Sequence, residues 1–135
     1  MPRPRLTMAE FVTAVDSVVA GLPSQFRECL DNVAIDVEQR PDRETLHSMG
    51  LGDDEWDEIM GLFDGTSLTE QQFDEWHPNR VTLFKESIEC ACRSRAEVEY
   101  EIRRTLIHEL AHHFGYDEED LDEFEGKPSP FDNDE

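Results

Sequence analysis

The chain has 135 residues, enough for one modest hydrophobic core and too few for two comfortable domains. It carries 33 acidic against 12 basic residues, a formal net charge of −21, which argues against nucleic acid and anionic membranes as partners. No run approaches the roughly 20 apolar residues of a membrane-spanning helix, and no basic segment leads into an apolar one near Met1, so a cytoplasmic protein is expected. Thr7 and Glu10 have the spacing of a capping box. Behind them Phe11, Val15, Val18, Val19 and Leu22 line one face of a helix from about Met8 to Ala20 that stops at Gly21-Leu22-Pro23.

Phe26 and Leu30 pair on a short second helix. In Val33 to Glu38, three β-branched residues, Val33, Ile35 and Val37, alternate with Ala34, Asp36 and Glu38, the period of a half-buried strand. Asp42 to Gly50 reads as a helix, Asp53 to Met60 as an acidic irregular or helical stretch, and Val81 to Phe84 as a β-rich run of the kind that pairs with Val33 to Val37. Glu86 to Arg93 reads as helical, and Ser94 with Glu97 repeats the capping-box spacing. Cys29, Cys90 and Cys92 are an odd count that matches no disulfide framework, in keeping with a reducing compartment. The Cys90-Ala91-Cys92 run lacks a second ligand pair and reads as ordinary thiols. Ten acids crowd Asp117 to Glu135, punctuated by Gly126-Lys127-Pro128-Ser129-Pro130. They divide the chain into one domain over residues 1–124 and an acidic, disordered tail over residues 125–135.

One stretch names a chemistry: His108-Glu109-Leu110-Ala111-His112-His113-Phe114-Gly115-Tyr116-Asp117-Glu118. Residues four apart on a helix have Cβ atoms roughly 5–6 Å apart, so His108 and His112 can converge on one zinc ion at about 2.0–2.1 Å. Glu109 sits about 100° round the helix from His108, beside the metal but turned from direct ligation, where it can accept a proton from a metal-activated water. A catalytic zinc needs a third protein ligand and an open position. On a continued helix Glu118 would lie about 9 Å beyond His112, out of reach. Gly115 can end the helix in the left-handed conformation and reverse the chain, which could bring Glu118 back to the metal.

The rest of the helix separates a metal site from ordinary core histidines. Leu106, Ile107, Leu110, Ala111 and Phe114 spread round most of the circumference, the pattern of a buried helix, whereas Thr105, His108, Glu109 and His112 fall within one arc of about 100°. Polar groups gathered on one arc of a buried helix need partners, and a metal with its water supplies them. His113 falls about 40° outside that arc and reads as structural, or as a group supporting a ligand from behind.

On these residues the chain resembles the short bacterial zinc metallopeptidases sometimes described as minimal zincins. The similarity covers most of the chain: the first helix through Leu22-Pro23, the strand Asn32 to Glu38, a turn-bearing segment Gly61-Leu62-Phe63-Asp64-Gly65, and Pro78 to Phe84 before the motif helix. It implies an α+β fold, a single small zincin-like domain whose few-stranded mixed sheet packs on the HExxH helix, with His108, His112 and Glu118 as zinc ligands and Glu109 as the catalytic glutamate. Two departures stand out. Metzincins place His or Asp where this chain has Glu118, and they carry a methionine-bearing turn after the motif, whereas this chain has no Met beyond Met60. The floor of the site must come from elsewhere.

The expected activity is zinc-dependent hydrolysis of peptide bonds, with a peptide or protein as substrate, no nucleic acid and no membrane; no feature of the sequence sets an oligomeric state. Tyr100 and Tyr116 are the phenols available to a transition state, Trp56, Phe63 and Trp76 are aromatics that could line a cleft, and Val81 to Phe84 is a candidate sheet edge for an extended peptide. The alternative is a non-proteolytic zinc-binding or partner-binding module that keeps the metal to stabilise a small core. Glu109 argues against it, because a purely structural zinc needs no base. The shortness of the chain argues for it, since little material follows Glu118 to build specificity pockets.

Overall fold

The hydroxyl of Thr7 accepts from the Glu10 amide at 3.1 Å while the Glu10 carboxylate accepts from the Thr7 amide at 2.8 Å, so two otherwise orphaned donors are satisfied reciprocally and the first helix, α1, spans Met8–Ala20 as expected. The computed structural model describes residues 4–64 and 79–114. Within them follow α2 (Ser24–Cys29), β1 (Val33–Glu38), α3 (Arg43–Ser48), β2 (Gly61–Asp64), β3 (Asn79–Phe84), α4 (Lys85–Cys90) and α5 (Arg95–Phe114). The acidic tail and its boundary lie outside the described residues.

Local chemistry sets the other helix ends. Asp42 caps α3 by accepting from the Thr45 amide at 2.7 Å, and Gly50 takes the positive φ of 78° that turns the chain after it. The helix expected over Asp42 to Gly50 is therefore shorter, its end residues being cap and turn. Likewise the helix expected over Glu86 to Arg93 is α4, and ends at Cys90. At α5 the second capping box forms only in part. Ser94 accepts from the Glu97 amide at 3.2 Å, but the Glu97 carboxylate reaches the Arg93 amide instead, at 3.0 Å.

The three described strands form one sheet in the order β1-β3-β2. β1 and β3 run parallel, Ile35 opposite Val81 and Val37 opposite Leu83, the pairing their composition predicts. β2 adds antiparallel on the other side, Gly61 opposite Leu83 and Phe63 opposite Val81. Two expectations are corrected. The segment read as turn-bearing from Gly61 is a strand through Asp64, and Val81 to Phe84, offered as a sheet edge, is the central strand, because β2 covers the side that β1 leaves open.

Alternation along the strands separates two faces. Val33, Val81 and Leu83, with half-buried Ile35, Val37 and Phe63, join Phe11, Val15, Phe26, Ile88 and the apolar side of α5 in the main core. The opposite face carries a smaller cluster, Leu46, Ile59 and Phe84, flanked by Leu51, Trp56 and Leu62, and an Asp36–Arg80 ion pair at 3.0 Å whose exposure leaves it little energetic weight. No helix among the described residues is long and apolar enough to cross a membrane. The α5 helix, 20 residues and so about 30 Å long, runs alongside β2 with Val98, Ile102, Leu106, Ile107, Leu110 and Ala111 all fully buried. Each such side chain is worth about 1.5–3 kcal/mol when large, which fixes the helix in place far more firmly than its propensity does.

Candidate metal centre

The burial of α5 stops at one strip. Leu110 and Ala111 are buried, but His108 and His112 are exposed and Glu109 is half-buried, so the polar arc expected from the sequence faces outward beside the buried residues of the helix's last turns. The Nε2 atoms of the two histidines stand 3.1 Å apart, their ring centroids 4.4 Å apart and their planes at 72°. Two nitrogen ligands of a tetrahedral zinc at about 2.0–2.1 Å would be separated by about 3.4 Å. The pair is thus spaced, to within a few tenths of an ångström, for a single ion, and the donors fit zinc in chemistry as well as in distance.

Glu109 is held by β2. Its carboxylate accepts from the backbone N–H of Phe63. That amide is available for a topological reason: Phe84 N–H donates to the Met60 carbonyl at 2.9 Å, which makes Met60–Phe84 a bonded pair. By alternation, Gly61 and Phe63 then turn their N–H and C=O groups away from β3, to the outer edge. Burial pushes the Glu109 carboxyl above its ordinary range; His108, the Phe63 amide and His112 oppose that rise without cancelling it.

Close approach of α5 to β2 depends on Gly61. A Cβ built there would lie 2.6 Å from Cγ2 of Thr105, well inside the 3.5–4.0 Å of a favourable carbon contact. Neither Gly61 nor the Phe63 amide emerged from the sequence as part of the site. The signal was present in the pattern Gly61-Leu62-Phe63, a glycine where another backbone element approaches.

The structure therefore brings together His108, His112 and Glu109. Glu118, Gly115 and Tyr116 lie outside the described residues, as does the side chain of His113, and among the described residues no third His, Cys, Asp or Glu joins the pair as a metal-holding group. Tyr100 is two turns before His108, about 12 Å along the axis, beyond reach of the site. Of the three aromatics, Phe63 holds Glu109 through its amide while its ring packs against the main core, Trp56 lies in the smaller cluster on the other face of the sheet, and Trp76 lies outside the described residues. Cys92 is buried, and burial with the nearby charges of Glu101, Glu97 and Glu89 pushes its thiol up to about 12, an inert thiol in agreement with the reading of the cysteines as ordinary.

Comparison with known proteins adds two findings. The family described as zincin-like metallopeptidase matches residues 30–127, well over half of the chain and including the whole motif. Among solved structures, a conserved hypothetical protein from Thermo thermophilus is similar at 22% identity, over 90% of this chain and 100% of that one, with a TM-score of 0.50, a likeness of fold. No curated protein matches.

Proposed function

Because the chain belongs to the zincin-like metallopeptidase family, we propose that it is a zinc-dependent peptidase in which His108, His112 and Glu118 hold the metal and Glu109 is the general base. One observation carries the reading: two histidines whose Nε2 atoms are 3.1 Å apart stand on the same exposed strip as a carboxylate that is latched to a sheet edge. The chemistry zinc supplies when bound is acidification of a water and polarisation of a carbonyl.

Glu109 takes the proton of the attacking water and passes it to the leaving amine. Its upward-shifted carboxyl suits that task, since a base closer to neutrality accepts a proton more readily and returns it as an acid. The edge of β2 turns the N–H and C=O groups of Gly61 outward, next to the Phe63 amide that already holds Glu109, and an extended peptide can add there as a further strand. A peptide lying there passes beside Glu109, so the role first given to β3 belongs to β2. The net charge of −21 suits a peptide or protein substrate and disfavours nucleic acid and membrane, and the inert Cys92 thiol suits a cytoplasmic setting.

The test pairs metal analysis of the purified protein with cleavage of a peptide library by native protein and Glu109→Gln. Zinc at one ion per chain in both forms, and cleavage by the native form alone, is the expected result. Metal in both forms with cleavage by neither would replace this reading with a non-proteolytic zinc-binding or interaction module.

A further inference from the structure

The C-terminal ends of the two parallel strands carry a second site. A cavity of about 590 Å³ opens there, four residues along β3 from Val81 and hence about 13 Å from the level of Glu109 at 3.3 Å per residue. Its size falls within the roughly 300–1,000 Å³ of small-molecule pockets. The charged lining residues are Arg5, Arg40, Lys85, Glu86 and Glu89. They sum to one positive charge, in a chain whose net charge is −21.

The floor of the cavity is a buried ion pair. Lys85 Nζ lies 3.2 Å from Glu89 Oε1, each side chain only 7% exposed, and Glu89 Oε2 also accepts from the Leu6 amide at 2.7 Å. The pairing is not there to support the helix: with Lys on the N-terminal side, it has the less favourable orientation along a helix axis. An ammonium has three donors, and among the described residues Glu89 is the one hydrogen-bond partner of Lys85. Two N–H donors of a buried cation therefore remain, in a place where unmet polar groups are costly. At the rim, Arg40 is fixed over the Trp56 ring at 4.0 Å and binds Glu86 through Nε at 3.0 Å, leaving its two terminal nitrogens as a pre-positioned fork.

We propose that this cavity binds a carboxylate: the acid group sits on the spare donors of Lys85 and the terminal nitrogens of Arg40, and its apolar stem lies along Trp56. A single negative charge balances the lining, and that favours a monoanion over a phosphate dianion. The site stands apart from the metal centre and does not depend on the peptidase reading. The same chemistry is offered by the C-terminus of a peptide and by a free organic acid.

The test is amide NMR of the full chain, titrated with N-acetylglycylleucine, its C-terminal amide, acetate and inorganic phosphate. The dipeptide acid should shift Leu6, Arg40 and the amides of α4 saturably. Its amide should bind about tenfold more weakly, the loss of one charge-assisted hydrogen bond. Acetate binding as well as the dipeptide acid identifies a small organic acid as the source, and a preference for the dipeptide identifies a peptide terminus; either supports a carboxylate site. Arg40→Gln, a substitution at a half-exposed side chain that leaves the buried pair intact, should weaken the acid by a similar factor. Equal shifts from acid and amide, phosphate binding more tightly than either acid, or no shift in this region would each overturn the proposal.

Discussion

The methyl carbon of Thr105 occupies the space a side chain on Gly61 would need, 2.6 Å from where that Cβ would stand. Alanine is better tolerated than glycine in a strand by roughly 0.5–1 kcal/mol, so an uncrowded site would gain from Gly61→Ala. Here overpacking, at about 1–3 kcal/mol, outweighs that gain, because a β-branched threonine on a helix has little rotamer freedom with which to withdraw. Gly61→Ala should therefore lower stability in chemical denaturation. Adding Thr105→Ser, which removes the methyl and keeps the hydroxyl, should restore most of it. A Gly61→Ala protein as stable as the native one would mean that β2 yields at no cost.

Metal titrations should rank the candidate ligands. His108→Ala and His112→Ala should each remove most of the bound zinc. Glu118→Ala should weaken affinity by at least the 10- to 100-fold that follows loss of even a supporting residue, while Asp117→Ala and Glu119→Ala should cost much less, because in the proposed ligand set Glu118, and neither of its neighbours, holds the metal. Loss of zinc from the Glu119 variant together with its retention by the Glu118 variant would move the ligand by one residue.

The pair Lys85–Glu89 invites a double-mutant cycle. Lys85→Met alone leaves a buried carboxylate without its counter-charge, a loss of about 3–5 kcal/mol. Lys85→Met with Glu89→Leu removes both charges and should recover most of that loss, short of native stability by about 1–3 kcal/mol for the Leu6 amide that loses its acceptor. A double variant no more stable than the single one would show that the two side chains do not act as a pair.

Two carboxylates should respond to acid with opposite signs. The Thr7 amide, then the Arg95 guanidinium at 2.8 Å, hold Glu10 below its ordinary 4.5. Its stabilising contribution is present above 4.5 and disappears as pH falls through the lower folded-state value. Glu109 is raised, chiefly by burial. Its contribution is present below the ordinary carboxylate value and is lost as pH rises through the higher folded-state value. Melting of metal-free protein across the acid range should show Glu10→Gln destabilising only on the neutral side, and Glu109→Gln raising stability only there. The reverse pattern for either variant would contradict the environment described for it.

Much of this was legible in the residues. The bounds of α1 and β1 follow from a capping box and a clean two-residue alternation, and the polar arc on α5 from helical geometry alone. β2 was missed because a four-residue strand beginning with glycine has too short a pattern to display its period. With it went the identity of the central strand, since position in a sheet depends on neighbours that a single segment does not reveal. The latch from Phe63 to Glu109 was hidden for a similar reason: a backbone amide carries no residue-type signature, and only strand register decides which way it points. Nothing in the local sequence marks Lys85 and Glu89 as a buried pair, since burial depends on Leu6, 83 residues from Glu89, whose amide donates to its carboxylate.

Those long-range closures bear on how the chain is made. Glu10 pairs with Arg95 across 85 residues, and α1 packs on α5 in the same core, so α1 leaves the ribosome and waits for the last described helix before it can bury its apolar face. Contacts of such sequence separation slow folding, because loop closure must precede the contacts that reward it. Synthesis proceeds at about 5–20 residues per second, and until α5 is made Phe11, Val15, Ile35 and Val81 lack the surface they finally cover. A ribosome-bound nascent chain ending before Arg95 should thus be protease-sensitive throughout, and protection should arrive in one step as α5 emerges, bringing His108 and His112 into place together with the core.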